Sequence, residues 1–261
     1  MADVARPAVT GQAFAGKTAF ITGAAAGLGR AFARALAARG AGVVIADIDI
    51  ASAAQVAAEL TSQGAQSIAV PCDVADEYQV DAAVAVAAET LGGVDILINN
   101  AGRHLMKYNQ PFGALSRADL RGMFDVNVMG VINCTLACRD SMRGRGGGVV
   151  LNMSSAAGYS SSTPYGVSKL AVRGLTVAFA SELSPDLIRV NAIAPGMTNT
   201  ESALADVPRS LVEDYVHDLQ LVHRLCTMDD VVAAMLYLCS DDASFITGET
   251  LKVSGGFPLS V

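Results

Sequence analysis

A short apolar segment near the start of the chain runs directly into a glycine-rich turn and then into a helical segment. Lys17–Thr22 (KTAFIT) predicts a buried strand, and the helical pattern covers Arg30–Arg39. Between them, Gly23, Gly27 and Gly29 form a G-x-x-x-G-x-G turn. Glycines allow a tight turn and a close approach of the backbone to a pyrophosphate, whose charge the amides at a helix N-terminus can meet. This order of elements is the context that a dinucleotide site requires, although ordinary strand-to-helix turns also use glycine.

The same alternation of apolar strand and helix continues along the chain. Further strands are predicted at Gly42–Asp47, Gln66–Pro71, Val94–Ile98, Val149–Met153, Leu187–Ala194 and Thr250–Val253. Near-continuous apolar strands separated by helices predict a parallel sheet that is buried on both faces. We therefore expect a single-domain, Rossmann-type α/β fold, a doubly wound parallel sheet with helices on both faces, over residues 16–261. Residues 1–15 are predicted to form a flexible arm, and residues 197–225 a segment that covers a substrate.

Composition excludes several classes of protein. The chain has 261 residues, of which 52% are hydrophobic and 16% charged, and this balance excludes a disordered protein. A net charge of −7 and a pI near 4.9 give no basic surface for nucleic acid or for an anionic membrane. The longest apolar runs are far shorter than the ~20 residues of a membrane span. The five cysteines show no metal-ligand spacing, so we expect reduced, buried thiols in a cytoplasmic protein that binds no metal.

An acidic residue closes the second predicted strand. Asp47 lies 18 residues after Gly29, close to the spacing at which a carboxylate accepts hydrogen bonds from the ribose hydroxyls of an adenine dinucleotide. A carboxylate there would also repel a 2′-phosphate, so Asp47 favours NAD over NADP. A solvated loop acid is the competing interpretation, and Asp49 is a second candidate for the role.

A tyrosine and a lysine lie four residues apart in the predicted helix that starts near Pro164. Tyr165 and Lys169 then share one helix face, and an ammonium near a phenol is expected to lower the pKa of the phenol. Tyr165 is therefore a candidate general acid and base. Ser154 or Ser155, at the end of a predicted strand, could hydrogen-bond the oxygen of an alcohol or ketone. An isolated Y-x-x-x-K pair is more often an ordinary exposed helix pair, so the assignment depends on the other motifs.

Together these motifs resemble the short-chain dehydrogenase/reductase family over nearly the whole chain. The matching stretches are TGAAAGLG (22–29), Asp73, NNAG (99–102), Asn127, the serine pair, YGVSK (165–169), Pro195-Gly196 and the closing segment 240–256. Each motif is weak or moderate alone, but they occur in the order and at the structural positions of that family. The resemblance implies hydride transfer between NAD(H) and a secondary alcohol or ketone, and a homotetramer.

The resemblance also implies roles for individual residues. Tyr165 would be the acid and base, Lys169 would lower its pKa and bind the nicotinamide ribose, Ser155 would polarise the substrate oxygen, and Asn127 would anchor a water in a proton relay. The residues implied to bind the cofactor are Gly23, Gly27, Leu28, Gly29, Asp47, Asp73, Val74, Asn100, Ala101, Gly102, Tyr165, Lys169, Pro195, Gly196 and Thr198. The apolar character of 201–225 favours a neutral, hydrophobic substrate.

The chain departs from the family pattern at the serine. Ser155 lies 10 residues before Tyr165 and Ser154 lies 11 before it, whereas the family usually has 12 or 13. The position at the strand end favours Ser155, and the shorter loop implies an altered substrate wall. Two other functions remain possible at this point, an NADPH-dependent ketoreductase of the 3-oxoacyl type and a catalytically idle cofactor-binding scaffold. Arg103 or His104 is expected to contact the substrate; the alternative is that these side chains only pack against the protein or face solvent.

Overall fold

The computed structural model describes residues 11–104, 106–200 and 207–259. Within them, one parallel sheet has the strand order β3-β2-β1-β4-β5-β6-β7. The strands are β1 Thr18–Thr22, β2 Gly42–Asp47, β3 Ser67–Pro71, β4 Ile96–Asn99, β5 Gly148–Met153, β6 Ile188–Pro195 and β7 Thr250–Val253. The predicted doubly wound parallel sheet in a single α/β domain is confirmed.

Helices connect the strands. They are α1 Gly27–Ala37, α2 Ile50–Ser62, α3 Glu77–Leu91, α4 Arg117–Phe124, α5 Gly130–Gly144, α6 Ala157–Ser160, α7 Pro164–Glu182, α8 Arg209–Asp214 and α9 Met228–Cys239. A π-helical turn, Asp125–Met129, joins α4 to α5 and carries Asn127. Such turns are rare in proteins, but those that occur are often found at functional sites, which agrees with the prediction of Asn127 as a site residue.

The sheet separates two hydrophobic clusters because successive side chains of a strand point to opposite faces. Ile21 of β1 belongs to a cluster with α1, α2 and α9, whereas its neighbour Phe20 packs in a cluster with α3, α5 and α7. Both side chains are fully buried. Most strand positions are therefore apolar on both faces, apart from residues such as Arg189 and Asn191 of β6, and this is the pattern from which a buried sheet was predicted.

The start of the domain differs from the prediction. Residues 11–15 were assigned to a flexible arm, but Phe14 is only 2% exposed and packs in the cluster of α1. Its amide also donates to the carbonyl oxygen of Arg39 at 3.0 Å. The packed domain therefore begins before Gly16, because an apolar ring stabilises the chain against α1; residues 1–10 lie outside the described part.

The strand order places the predicted motifs at one edge of the sheet. β1 pairs with both β2 and β4. From β1 the chain first adds β2 and β3 on one side of the sheet and then returns to add β4 to β7 on the other side. In open parallel sheets this switch point leaves a crevice outside the carboxyl ends of the strands. A buried ladder of hydrogen bonds fixes the far side of the crevice, as Asn99 donates to Asn152 at 2.9 Å and Asn152 donates to Thr176 of α7 at 3.0 Å.

Candidate active site

The glycine loop ends at an open helix N-terminus. Ala26 is the N-cap of α1 and offers no side-chain acceptor, and the first turn contains no acidic residue. Gly27 has a φ of +52°, and a Cβ added there would meet nothing within 4 Å. The N-terminus of α1 therefore has no side-chain cap and borders the crevice through Ala26, Gly27 and Leu28, which suits a pyrophosphate bound by backbone N–H groups.

Asn100 holds the loop against the strand ends. Its side-chain amide donates to the carbonyl oxygens of Thr22 and Gly23, both at 2.9 Å. Gly23 is packed so closely that a Cβ would lie 2.9 Å from Cα of Ala101. At Gly29 a Cβ would overlap the carbonyl oxygen of Gly23. Gly29 is therefore buried under the loop, where it permits close packing, while Gly23 and Gly27 line the crevice.

Asp47 lies at the end of β2 and braces the loop from the other side. Its Oδ2 accepts from the amide of Ala25 at 2.9 Å, and its Oδ1 accepts from the amide of Asp49 at 3.0 Å. The side chain is half-buried and each oxygen retains capacity to accept. Asp49 instead caps α2 through the amide of Ser52, which distinguishes it from Asp47.

Asp73 and Val74 follow β3, farther along the same edge. Asp73 accepts from the amide of Ala75 at 3.0 Å, and the carbonyl oxygen of Val74 accepts from the side chain of Asn133 at 2.9 Å. Val74 is buried against Gly130, where a Cβ would lie 2.6 Å from a Val74 methyl group. Asp47, Asp73 and Val74 thus extend the crevice beyond the cavity described below.

Ser155 and Tyr165 face each other across the end of β5. The Ser155 hydroxyl hydrogen-bonds the phenol of Tyr165, and it also accepts from the amide of Ala157 at 3.2 Å. Thr163 caps α7 by accepting from the amide of Gly166 at 3.1 Å, which fixes the first turn that carries Tyr165. The geometry therefore brings the predicted serine and tyrosine together despite the short spacing between them.

Ser154 has a different environment. It is buried, and its hydroxyl donates to the backbone carbonyl oxygen of Lys169 at 2.9 Å. The Lys169 ammonium in turn donates to the carbonyl oxygen of Met153 at 2.7 Å. Ser154 thus links the end of β5 to α7, and Ser155 is the member of the pair that contacts the phenol.

Asn127 lies on the π-helical turn and hydrogen-bonds the backbone of Arg103 and the side chain of Ser168. Its Oδ1 accepts from the amide of Arg103 at 2.7 Å, and its Nδ2 donates to the Arg103 carbonyl oxygen at 3.0 Å and to Ser168 at 3.1 Å. A Cβ at Gly102 would lie 3.4 Å from that Oδ1 and 3.5 Å from the Lys169 Nζ. The absence of a side chain at Gly102 therefore leaves space between the two polar groups.

The protonation of the tyrosine–lysine pair differs from the sequence expectation. Burial raises the pKa of Tyr165 above its usual value, with the Ser155 hydrogen bond acting in the opposite direction. Burial also lowers the pKa of Lys169 to about 8. The direction of the Tyr165 pKa shift is thus opposite to the expectation, while the role of Lys169 beside a bound cofactor stays a prediction. The Lys169 Nζ is 5.8 Å from the ring centroid, and desolvation dominates at that distance.

One cavity of about 680 Å³ joins these groups. From the predicted cofactor set it is lined by Gly23, Gly27, Leu28, Asn100, Ala101, Gly102, Tyr165, Lys169, Pro195, Gly196 and Thr198, together with Ser155. His104 also lines it, whereas Arg103 is bound to Asn127 through its backbone.

The predicted covering segment forms part of the cavity wall. Val207, Leu211 and Tyr215 line the cavity, while Leu219 is largely exposed and Leu204 lies outside the described residues. The Tyr215 ring packs edge-on against Phe257, with 5.5 Å between the centroids. The wall residues Met106, Asn109, Ser160 and Phe257 were not predicted from the sequence. Only the aromatic character of Phe257, directly after Gly255-Gly256, offered a signal.

Comparison with known proteins agrees with this architecture. A family model described as enoyl-(acyl carrier protein) reductase matches residues 23–258. The chain belongs to the short-chain dehydrogenase/reductase family. It is 37% identical to the 7α-hydroxysteroid dehydrogenase of Escherichia coli over 248 residues, covering 92% of this chain and 94% of the relative.

Two further comparisons describe other members of the short-chain dehydrogenase/reductase family. The chain is 37% identical to the cis-4-hydroxycyclohexanecarboxylate dehydrogenase of Sinomonas cyclohexanicum over 250 residues, covering 95% of this chain and 98% of the relative. A solved structure of 7α-hydroxysteroid dehydrogenase in complex with NADH and 7-oxo glycochenodeoxycholic acid superposes with a TM-score of 0.87. That structure is 35% identical in sequence, covering 93% of this chain and 94% of the solved one. The family resemblance predicted from the motifs is confirmed.

Proposed function

We propose that this short-chain dehydrogenase/reductase transfers a hydride between NAD(H) and a secondary alcohol or its ketone, with a largely neutral, hydrophobic ring compound as substrate. The observation that carries the proposal is the meeting of Ser155, Tyr165 and Lys169 in one cavity whose other end is the open N-terminus of α1. An idle scaffold would not require a hydroxyl, a phenol and a buried ammonium at the same point.

The crevice suits a nicotinamide dinucleotide. The uncapped amides of α1 would hold the pyrophosphate, and Lys169 would bind the nicotinamide ribose. Asp47, with acceptor capacity remaining on both oxygens, would bind the adenosine ribose and repel a 2′-phosphate, which supports NAD over NADP. When bound, the nicotinamide accepts or supplies the hydride at its C4 carbon.

The protein's own residues would move the proton. In ketone reduction the Tyr165 phenol would donate its proton to the substrate oxygen; in alcohol oxidation the phenolate, a form that the raised pKa makes scarcer, would accept the hydroxyl proton. Ser155 donates a hydrogen bond to the same substrate oxygen and so fixes its distance from the tyrosine. Both side-chain N–H groups of Asn127 are already donated, so a relay water would donate to Asn127 Oδ1 near the Lys169 ammonium.

The walls of the cavity support a ring substrate. Met106, Val207, Leu211, Tyr215 and Phe257 supply apolar surface in the cavity of about 680 Å³, which the substrate would share with the nicotinamide end of the cofactor. Two relatives are named for the oxidation of hydroxyl groups on rings, a steroid and a cyclohexanecarboxylate. These names support an alicyclic secondary alcohol as the substrate class.

The proposal includes a cytoplasmic homotetramer. Leu136 of α5 and Leu170 and Val177 of α7 are 49%, 44% and 61% exposed, so these two helices present apolar surface that a second subunit would cover. Within the described residues, no helix is long and apolar enough to cross a membrane.

The test separates chemistry from binding. Wild-type protein and Tyr165→Phe are assayed with NAD and a panel of cyclohexanols, decalols and hydroxysteroids, while NADH binding is followed by nicotinamide fluorescence. We expect wild-type turnover of at least one class, and in Tyr165→Phe a loss of at least 100-fold with NADH affinity retained. Substantial residual turnover in Tyr165→Phe would overturn the assignment of the acid and base.

A further inference from the structure

The cavity has a second polar point in addition to the serine, tyrosine and lysine. Asn109 lines it from the end of a short 3-10 helix, Met106–Asn109, and is half-buried. The neighbouring Lys107 is directed elsewhere, since its ammonium is paired with Asp119 at 2.8 Å. Ser160, also on the wall, donates its hydroxyl proton to the carbonyl oxygen of Ala157 at 3.2 Å. Asn109 is thus a polar side chain of a wall that also carries His104, Ser160 and apolar residues such as Met106.

The orientation of the Asn109 amide follows from its contact with Thr163. The Thr163 hydroxyl accepts from the amide of Gly166 as the cap of α7, so its own proton is available for donation. That proton is donated to Asn109 Oδ1 at 3.4 Å. The NH2 group therefore points away from Thr163, and it donates to no acceptor among the described residues. The NH2 group is only partly buried, so solvent meets it in the free protein, and a substrate oxygen can take the place of that solvent.

The position of Asn109 relative to the reacting oxygen is set by α7. Thr163 is two residues before Tyr165, so the two Cα atoms are at most about 7.6 Å apart. Asn109 contacts Thr163 and therefore lines the cavity near the first turn of α7, so a ring whose hydroxyl meets Tyr165 and Ser155 would reach it through a substituent on that side. The two contacts together would fix one orientation of the ring.

We propose that Asn109 determines substrate specificity by donating a hydrogen bond to a second oxygen of the substrate, carried one ring away from the carbon that is oxidised. This inference rests on the proposed function and narrows its substrate class to alicyclic secondary alcohols with a remote neutral acceptor oxygen, such as an ether, ketone or hydroxyl. The apolar walls contact the ring, and Asn109 selects among rings of similar size.

The test uses two substrates that differ only at the acceptor. The skeleton is the one of cyclohexane, decalin and steroid whose alcohol the wild-type enzyme oxidises best. On it, kcat/KM is measured for a secondary alcohol with a remote methoxy substituent and for the same alcohol with an ethyl substituent in its place. Asn109→Asp is the decisive variant, because its carboxylate still accepts from Thr163 but has no hydrogen to donate. Gln110→Ala, an exposed neighbour that does not line the cavity, is the matched control.

We expect the wild type and Gln110→Ala to prefer the methoxy substrate, and Asn109→Asp to lose that preference by roughly tenfold, as one hydrogen bond predicts. A merely structural Asn109 would lower kcat/KM for both substrates equally and leave their ratio unchanged, which would overturn the proposal. Equal use of the two substrates by the wild type would also overturn it. If no secondary alcohol is oxidised at all, the proposed function itself fails, and this outcome differs from turnover without discrimination.

Discussion

Gly27 offers a direct separation of cofactor binding from folding. Its φ of +52° is left-handed, a conformation that costs an alanine about 1–2 kcal/mol. A Cβ there meets no protein atom within 4 Å, so Gly27→Ala should lower the free energy of unfolding by that amount and no more. Gly64 has a φ of +90°, equally open space and no part in the cavity, so Gly64→Ala should carry a comparable cost.

The two variants should differ in cofactor affinity. The methyl group of Gly27→Ala would occupy the space in which the first amides of α1 reach a pyrophosphate, so we expect NADH to bind at least tenfold more weakly, which is about 1.4 kcal/mol. Gly64→Ala should bind NADH as the wild type does. Stability is measured by urea denaturation and affinity by nicotinamide fluorescence. Unchanged NADH affinity in a folded Gly27→Ala protein would refute the assignment of this helix N-terminus to the pyrophosphate.

Two further predictions concern stability at alkaline pH and the choice of cofactor. Burial raises the pKa of Cys72 and Cys239 from 9.0 to about 12. Above pH 9 the folded protein therefore keeps two protons that the unfolded chain loses. Each thiol should lower the free energy of unfolding by about 1.4 kcal/mol at pH 10. Lys169, with its pKa lowered to about 8, acts in the opposite sense between pH 8 and 10.5. Urea denaturation of Cys239→Ala against wild type should therefore show a smaller loss between pH 8 and 10, and an identical loss would contradict the burial effect. Asp47→Ala should weaken the binding of both cofactors because the Ala25 amide loses its acceptor. In paired titrations, the affinity for NADPH relative to that for NADH should nevertheless rise. An unchanged ratio of the two affinities would assign the discrimination to another residue.

Much of the fold was predictable because its signals are local. Apolar runs such as Phe20-Ile21 and the positive-φ glycines of the first turn specify strands and turns within a few residues. The strand order was not predicted, since the rule for right-handed crossovers leaves several orders open. The prediction for residues 11–15 failed since a single apolar residue, Phe14, gives no periodicity, and only its packing against α1 orders the segment.

The site was less predictable where it depends on contacts between distant segments. Phe257 and Tyr215 form one wall although 42 residues separate them, and Asn109 reaches Thr163 across 54 residues. The shift of the Tyr165 pKa failed as a prediction for the same reason. Sequence spacing placed the ammonium near the phenol, but the desolvation that dominates comes from the whole surrounding structure. The roles of the site residues remain predictions.

The most direct measurement of the central claim follows the hydrogen itself. The wild-type protein is incubated with NAD and an alicyclic secondary alcohol that carries deuterium on the carbinol carbon, and the reduced cofactor is analysed by mass spectrometry. We predict that the reduced cofactor gains one deuterium and that Tyr165→Phe forms little of it under the same conditions. Reduced cofactor without deuterium, or no reduction with any alcohol of the panel by a protein that binds NADH, would contradict hydride transfer from a secondary alcohol.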